Sequence, residues 1–416
     1  MVDFSFKLSK IDSSSKARRG VIHTRAGDIQ TPAFVPVATT GVAKGLDSRD
    51  LIDIGSQCAF CNTYHMHLKP GEDVVKNAGG LSKFINYKKP IFTDSGGFQA
   101  FSLGLGKEHG IGKVGFFPEQ RVAVDKKDAD GEPTEASVSF AKVSDNGVEF
   151  KSIYDGTTDF LTPEASMKIQ SDLGSDIIMA FDECTSPLSG YDYTKKAVER
   201  THKWALRCIK SYDKENQALY GIIQGGEWED LRVESTKFIA SQPFDGIAIG
   251  GALGKDKTDM KRVMDYIFPL LDENEKSISK ARPRHMLGIG GVDDIFECVS
   301  RGIDTMDCVS PTRNGRRGSL FICPASGGNA KNKWRINLDA AAYKLDLSPI
   351  DPNCDCMVCK NYSRSFLRHL HNVREYTFAR LAAYHNVYFI NKLFEKIRTA
   401  IDTGTFSDLK KEWMFD

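Results

Sequence analysis

The stretch TPEASMKIQSDLGSDIIMAFDE, Thr162–Glu183, contains a complete structural unit. Thr162 can cap a helix, Pro163 suits the first helical position, and Glu164 places an acid in the first turn. Ala165, Ile169 and Leu173 then recur every four residues, which gives a helix with one apolar face. The run Asp176–Phe181 has no such period. It is short and almost continuously apolar, as a strand covered on both faces must be. A carboxylate, Asp182, stands where that strand ends.

The same pattern recurs along the chain. Eight short apolar runs are expected as strands: Ala33–Ala38, Cys58–Tyr64, Pro90–Thr93, Asp176–Phe181, Leu219–Ile223, Gly246–Ile249, His285–Ile289 and Thr305–Val309. Helical patterns lie between most of them. Eight strands alternating with helices predict an α/β fold, a (β/α)8 TIM barrel, with a doubly wound open sheet as the competing architecture. The third and fourth strands are too far apart for a plain connection. Within that gap VSFAKVSDNGVEFKSIYDG, residues 138–156, alternates apolar and polar residues about Asp145-Asn146-Gly147. This predicts an antiparallel β insertion at about 104–155, placed over the barrel mouth. The expected organisation is a barrel core over residues 1–309, followed by residues 310–416. That second part would hold a basic segment and a zinc-binding subdomain packed on the barrel, with a long helix from about Arg374 to Thr399.

Composition narrows the function. The 416 residues carry 56 Lys and Arg against 55 Asp and Glu, a net charge of +1. No global basic field exists, so a nucleic-acid partner would need a local patch. No run is long and apolar enough to span a membrane, and the N-terminal residues lack the apolar core of a secretory signal. A cytoplasmic protein without a membrane partner is expected. The glycine-rich run Gly288-Ile289-Gly290-Gly291-Val292-Asp293 has Asp at the sixth position of the dinucleotide fingerprint, which argues against a nicotinamide enzyme.

In a barrel, chemistry gathers where strands end. The polar residues there are Asn62, Asp94, Asp182, Gln224 and Asp307. A single strand-end acid can simply cap a helix, but three acids in one barrel favour a site. Paired carboxylates suit cleavage at a glycosidic carbon, one attacking or stabilising the cationic centre and the other handling the leaving group's proton. Asp and Gln can also read a nucleobase edge, and the glycines after Gln224 and Ile249 would let backbone approach a flat ligand.

Cys354, Cys356 and Cys359 place three thiolates within six residues, a strong signal for tetrahedral zinc with one further ligand. Spacing alone leaves His369, His371 and His385 as candidates. Four protein ligands would close the shell, so the ion would be structural; His65 and His67 read as ordinary loop histidines. From Cys308 to Leu338 there is no acidic residue, while Arg313, Arg316, Arg317, Lys331, Lys333 and Arg335 supply six positive charges. That local patch suits phosphate contacts.

TDSGGFQAFSL, MAFDECTSP, GIIQGG, IAIGG, DCVSPTRNGRRG and CDCMVC, in this order, resemble the tRNA-guanine transglycosylase family, the queuine or preQ1 tRNA-ribosyltransferases. The resemblance spans nearly the whole chain. It implies exchange of guanine 34 in the anticodons of tRNAs for Asp, Asn, His and Tyr, with Asp307 as nucleophile at the ribose C1′ and Asp94 as general acid/base. Asn62, Ser95, Phe98, Asp182, Cys184, Gln224, Gly251, Ala252, Gly254 and Leu287 would contact the base, Phe98 by stacking. Arg313, Arg316 and Arg317 would hold the anticodon loop. Zinc would be bound by Cys354, Cys356, Cys359 and His385. A homodimer is the expected assembly, and the partners implied are the tRNA anticodon loop and a free base, queuine or preQ1.

Two departures from the bacterial pattern stand out. One is the long segment from about Lys107 to Val143. The other is Gly254, where bacterial members usually carry valine; the smaller residue is expected to leave room for queuine. Two alternatives remain, a noncatalytic zinc-containing tRNA-binding subunit and a barrel glycoside hydrolase acting on nucleosides or sugars. Retention of both Asp94 and Asp307 argues against the first, and the basic stretch beyond Asp307 argues against the second.

Overall fold

The computed structural model describes residues 4–100, 141–187, 189–254, 256–274 and 281–414. Sixteen strands occur among them. In chain order they are β1 Ser5–Ile11, β2 Arg18–Thr24, β3 Gly27–Thr31, β4 Ala33–Pro36, β5 Ala59–Cys61, β6 Ile91–Thr93, β7 Ala141–Ser144 and β8 Gly147–Lys151. They continue as β9 Thr158–Leu161, β10 Ile177–Met179, β11 Ala218–Ile223, β12 Gly246–Ile249, β13 Arg284–Met286, β14 Thr305–Cys308, β15 Ser319–Phe321 and β16 Arg335–Asn337.

Eight of them form one sheet in the order β4-β14-β13-β12-β11-β10-β6-β5. The outermost strands meet in a parallel bridge between Val37 and Phe60, and the Ala38 amide donates to the Phe60 carbonyl at 2.7 Å, so the sheet is a nearly closed parallel barrel. These are the eight runs expected from the sequence, with ends shifted by up to three residues. Their residues are buried on both faces, which is why they read as apolar runs without alternation. Thr162 caps the helix Pro163–Leu173 by accepting from the Ala165 amide at 3.1 Å, and Gly174 closes it in the left-handed conformation, φ 71°.

By contacts the chain divides into two compact units, one of residues 62–77 and 93–276, the other of residues 3–61, 78–92 and 277–416. In the first, β10, β11 and β12 pair in parallel, and the insertion forms the antiparallel sheet β7-β8-β9. Its β7–β8 hairpin turns at Asp145-Asn146 as expected. The third strand, β9, was not foreseen, because four residues ending at a helix cap show too little alternation to register. The part of the insertion before residue 141, and most of the segment from Lys107 to Val143, lie outside the described residues. His67 lies on the helix Thr63–Leu68 instead of in a loop, bridging Glu72 at 2.7 Å and Asp159 of β9 at 2.8 Å. Hydrogen bonds to Asp159 and Glu72 push its pKa up to about 9.

In the second unit, β13, β14 and β4 pair in parallel, with Thr305 opposite both His285 and Ala33. An antiparallel sheet β1-β2-β3 precedes the barrel strands; its strands mix polar and apolar residues, so it was not expected from apolar runs. The long C-terminal helix runs from Tyr376 to Thr403. Its Phe394 stacks on Phe34 of β4, ring centroids 6.4 Å apart, and its Phe389 stacks on Phe321 of β15 at 5.1 Å. Among the described residues no helix is long and apolar enough to cross a membrane.

Candidate active site and metal cluster

Asp94 follows β6 directly and is held in the first unit from three sides. The Thr63 amide donates to Oδ1 at 2.7 Å, and the Asn62 and Gln99 side-chain amides donate to Oδ2, the latter at 2.8 Å. The Thr63 hydroxyl donates to the Asp94 carbonyl at 2.5 Å, which fixes the backbone as well. Asn62 precedes the helix Thr63–Leu68, so that helix starts against the carboxylate. Favourable donors on both oxygens keep this group in one orientation, as a proton-transfer residue requires.

Asp182 follows β10 and is buried. Ser95 Oγ donates to its Oδ1 at 3.0 Å and Gln224 Nε2 to its Oδ2 at 2.6 Å. Burial raises its pKa to about 6, against the lowering effect of those two hydrogen bonds; the nearby Asp94 adds to the rise. Gln224 Oε1 is buried and has no hydrogen-bond partner among the described residues. Gly251, φ +81°, lies so near that a Cβ there would sit 2.2 Å from that oxygen, so only glycine fits. The arrangement brings together a carboxylate and an amide oxygen, both hydrogen-bond acceptors. Cys184 lies beside it, its thiol pushed up by burial and by Asp182. Phe98 is half-buried in the helical turn that starts at Gly97, and Ala252 is buried.

Gly254 tells a different story from the one its sequence context implied. Its φ is +97°, and a Cβ there would lie 2.1 Å from the Asp259 Cβ. The space beside this glycine is thus filled by Asp259, and any side chain at 254 would strain the backbone whatever ligand is bound. The glycine has a reason within the chain, so extra room for a bulky base does not follow from it.

In the second unit Asp307 lies in β14 and accepts twice at one oxygen. The Gly288 amide donates to Oδ1 at 2.9 Å, and His285 Nε2 contacts the same atom at 3.2 Å. Oδ2 has no protein hydrogen bond among the described residues. The His285 ring is fully buried against Phe60 and Phe92, centroids 5.8 and 5.5 Å away, and its Nδ1 meets Thr305 Oγ1 at 2.8 Å. With Nε2 donating to the carboxylate, Nδ1 of a neutral ring accepts from that hydroxyl. Sequence reading missed His285 as a functional residue: it stood first in an expected strand, next to Arg284, and nothing local set it apart. Leu287, half-buried, follows the same strand.

The helix Ser310–Gly315 begins just after β14, with Arg313 and Arg317 exposed and Arg316 half-buried. Arg316 donates to the Lys44 carbonyl at 3.1 Å, and burial together with Arg313 and Arg317 lowers its pKa.

Cys354, Cys356, Cys359 and His385 converge, their ligand atoms all within 4.8 Å of one another. His385 Nδ1 lies 3.9, 3.5 and 3.4 Å from the three sulfurs in turn, close to the roughly 3.6 Å that a tetrahedral zinc imposes between nitrogen and sulfur ligands. His385 Nε2 lies 2.7 Å from the Phe321 carbonyl; donation there leaves Nδ1 free to ligate. The cluster can therefore hold a metal ion, and it is the one such group of histidine, cysteine and carboxylate ligands among the described residues. Of the three histidines that spacing left open, His385 is the one brought to the thiols.

The family described as Queuine tRNA-ribosyltransferase matches residues 12–126 and 128–416. A chain from Archaeoglobus fulgidus is 51% identical over 401 residues, covering 96% of each protein. The queuine tRNA-ribosyltransferase of Halothermothrix orenii is 39% identical, covering 99% of this chain and 98% of its own. That of Roseiflexus sp. (strain RS-1) is 41% identical and covers 99% of both.

Proposed function

The chain belongs to the queuine tRNA-ribosyltransferase family, and from that premise we propose that it exchanges guanine 34 in the anticodons of tRNAs for Asp, Asn, His and Tyr for a queuosine-pathway base. Queuine is favoured as the incoming base because the family and its relatives carry that name, and preQ1 is the other. The observation that carries the reading is the buried set Ser95, Asp182 and Gln224. Guanine offers donors at N1 and N2, which a carboxylate accepts, and the unpartnered Gln224 oxygen is a further acceptor.

Asp307 attacks the ribose C1′ through its carboxylate, the C1′–N9 bond breaks, and the bonding pair leaves on guanine. Asp94 gives the departing base a proton. The incoming base then loses its proton to Asp94 and attacks C1′, releasing Asp307. Asn62, Ser95, Phe98, Cys184, Gly251, Ala252, Gly254 and Leu287 surround or stack on the base, and Arg313, Arg316 and Arg317 bind anticodon-loop phosphates. Cys354, Cys356, Cys359 and His385 would hold one zinc ion, which four protein ligands leave no open position for chemistry. The enzyme acts as a homodimer in the cytoplasm.

The test is base exchange, using tRNA-Tyr with labelled guanine at position 34 and guanine, preQ1 or queuine added separately. Label loss with queuine incorporated supports the full reading, and loss with preQ1 alone removes the queuine preference. No release with any base would leave a noncatalytic tRNA-binding subunit.

A further inference from the structure

Arg232 lies on the helix Glu229–Ser241 that follows β11, and its side chain is fully buried. Among the described residues no carboxylate pairs with it. Its guanidinium instead donates to four backbone carbonyls: Nε to Gly226 at 2.8 Å, Nη1 to Ile223 at 3.1 Å and Gly250 at 3.0 Å, and Nη2 to Ala252 at 3.1 Å. These carbonyls belong to the two turns that leave β11 and β12.

Both turns are built from glycines in conformations other residues avoid: Gly225 at φ +140°, Gly226 at +60° and Gly251 at +81°. Such a backbone has little intrinsic preference for one shape and no side chains to hold it. A buried cation is costly unless all its donors are used, so its presence here calls for a reason beyond filling space. The same turns carry Gln224 and Gly251. The Gln224 amide is itself held by Ser235 Oγ at 3.1 Å, on the same helix as Arg232. Because a peptide unit is planar, turning the Gly250 carbonyl toward Arg232 turns the Gly251 N–H the opposite way. That N–H meets the Cys184 thiol. Burial lowers the Arg232 pKa only to about 9, which keeps it charged at neutral pH.

We infer that Arg232 is the positioning residue for base recognition, its planar fork locking the Gln224-Gly225-Gly226 and Gly250-Gly251-Ala252 turns into one shape before a base arrives. The inference rests on the reading that Asp182 and Gln224 bind the base. A lysine keeps the charge but offers a point donor that cannot span four carbonyls. Methionine keeps bulk and loses every bond.

Steady-state exchange of labelled guanine by Arg232→Met and Arg232→Lys, with thermal melting alongside, tests this. Expected for Arg232→Met is a KM for guanine raised tenfold or more, with kcat at saturating base within about threefold and KM for tRNA within about twofold of the parent. Arg232→Lys should fall between, and methylguanidinium should restore part of the guanine affinity to Arg232→Ala. An unchanged KM for guanine in a folded variant would overturn the inference. So would kcat and both KM values worsening in step with the melting temperature, or failure of every variant to fold, since each marks a scaffold role. Asp182→Asn is the control. If it raises the KM for guanine and Arg232→Met does not, this inference alone fails; if it leaves that KM unchanged, the base-recognition reading fails and takes the inference with it.

Discussion

Asp182 and Asp307 are carboxylates at the ends of barrel strands, and they are almost equally buried, at 5% and 7% exposed. Their surroundings differ in kind. Both oxygens of Asp182 are engaged, by the ends of two side chains, and each oxygen keeps a lone pair for a further donor. Asp307 is held through one oxygen only, by a backbone amide and a histidine packed against two phenylalanines, and its other oxygen carries no protein hydrogen bond among the described residues. The first arrangement suits reversible recognition; the second suits a group that must make a bond without being reoriented. Burial says little about which task a strand-end acid performs, whereas the number and rigidity of its donors say a good deal.

The sharpest break in this comparison is Asp307→Asn. It should abolish the covalent tRNA adduct on denaturing gels and lower exchange by at least about a thousandfold, as loss of a nucleophile does. Asp94→Asn should still yield an adduct; equal yields in both variants would reverse the two roles. Next in size, His285→Phe keeps the aromatic stack but removes the bond to Asp307. Losing one hydrogen bond to a charged group, about 1.5–3 kcal/mol, predicts a kcat lower by roughly ten- to a hundredfold with the KM for base little changed. An unaltered kcat would mean that the Gly288 amide alone suffices.

Asp182 should instead show itself in affinity. With its pKa raised to about 6, it is protonated below that pH and loses acceptor capacity, so the KM for guanine should climb as pH falls through about 6. Asp182→Asn should be weak at all pH values and lack the transition. The smallest effect belongs to Ser95→Ala. Removing one of the hydrogen bonds that favour ionised Asp182 should move the transition to higher pH, by less than about one unit. A shift to lower pH would show that the Ser95 bond does not favour the ionised carboxylate.

Much of this was legible beforehand for a definable reason. The eight barrel strands announced themselves because a strand covered on both faces must be apolar throughout, and the Cys354, Cys356 and Cys359 cluster because its ligands are close in sequence. The strand-end acids were visible because each interrupts an apolar run. The sheet β1-β2-β3 was not, since its strands mix polar with apolar residues instead of running apolar throughout, and β9 was not, since four residues carry little pattern. Gly254 was visible, but its reason within the chain was not: its positive φ and its closeness to Asp259 are properties of a folded turn.

The amino-acid sequence by itself determined the fold class, the family and the identity of the polar residues at the strand ends, because these depend on local periodicity and on motifs within a few residues. Tertiary structure alone decided what each of those residues does. It chose His385 over two other histidines, set His285 against Asp307 from a neighbouring strand, and aimed Arg232 at carbonyls up to 20 residues away. Burial and hydrogen-bond geometry arise only when distant segments meet, and they carry the chemistry.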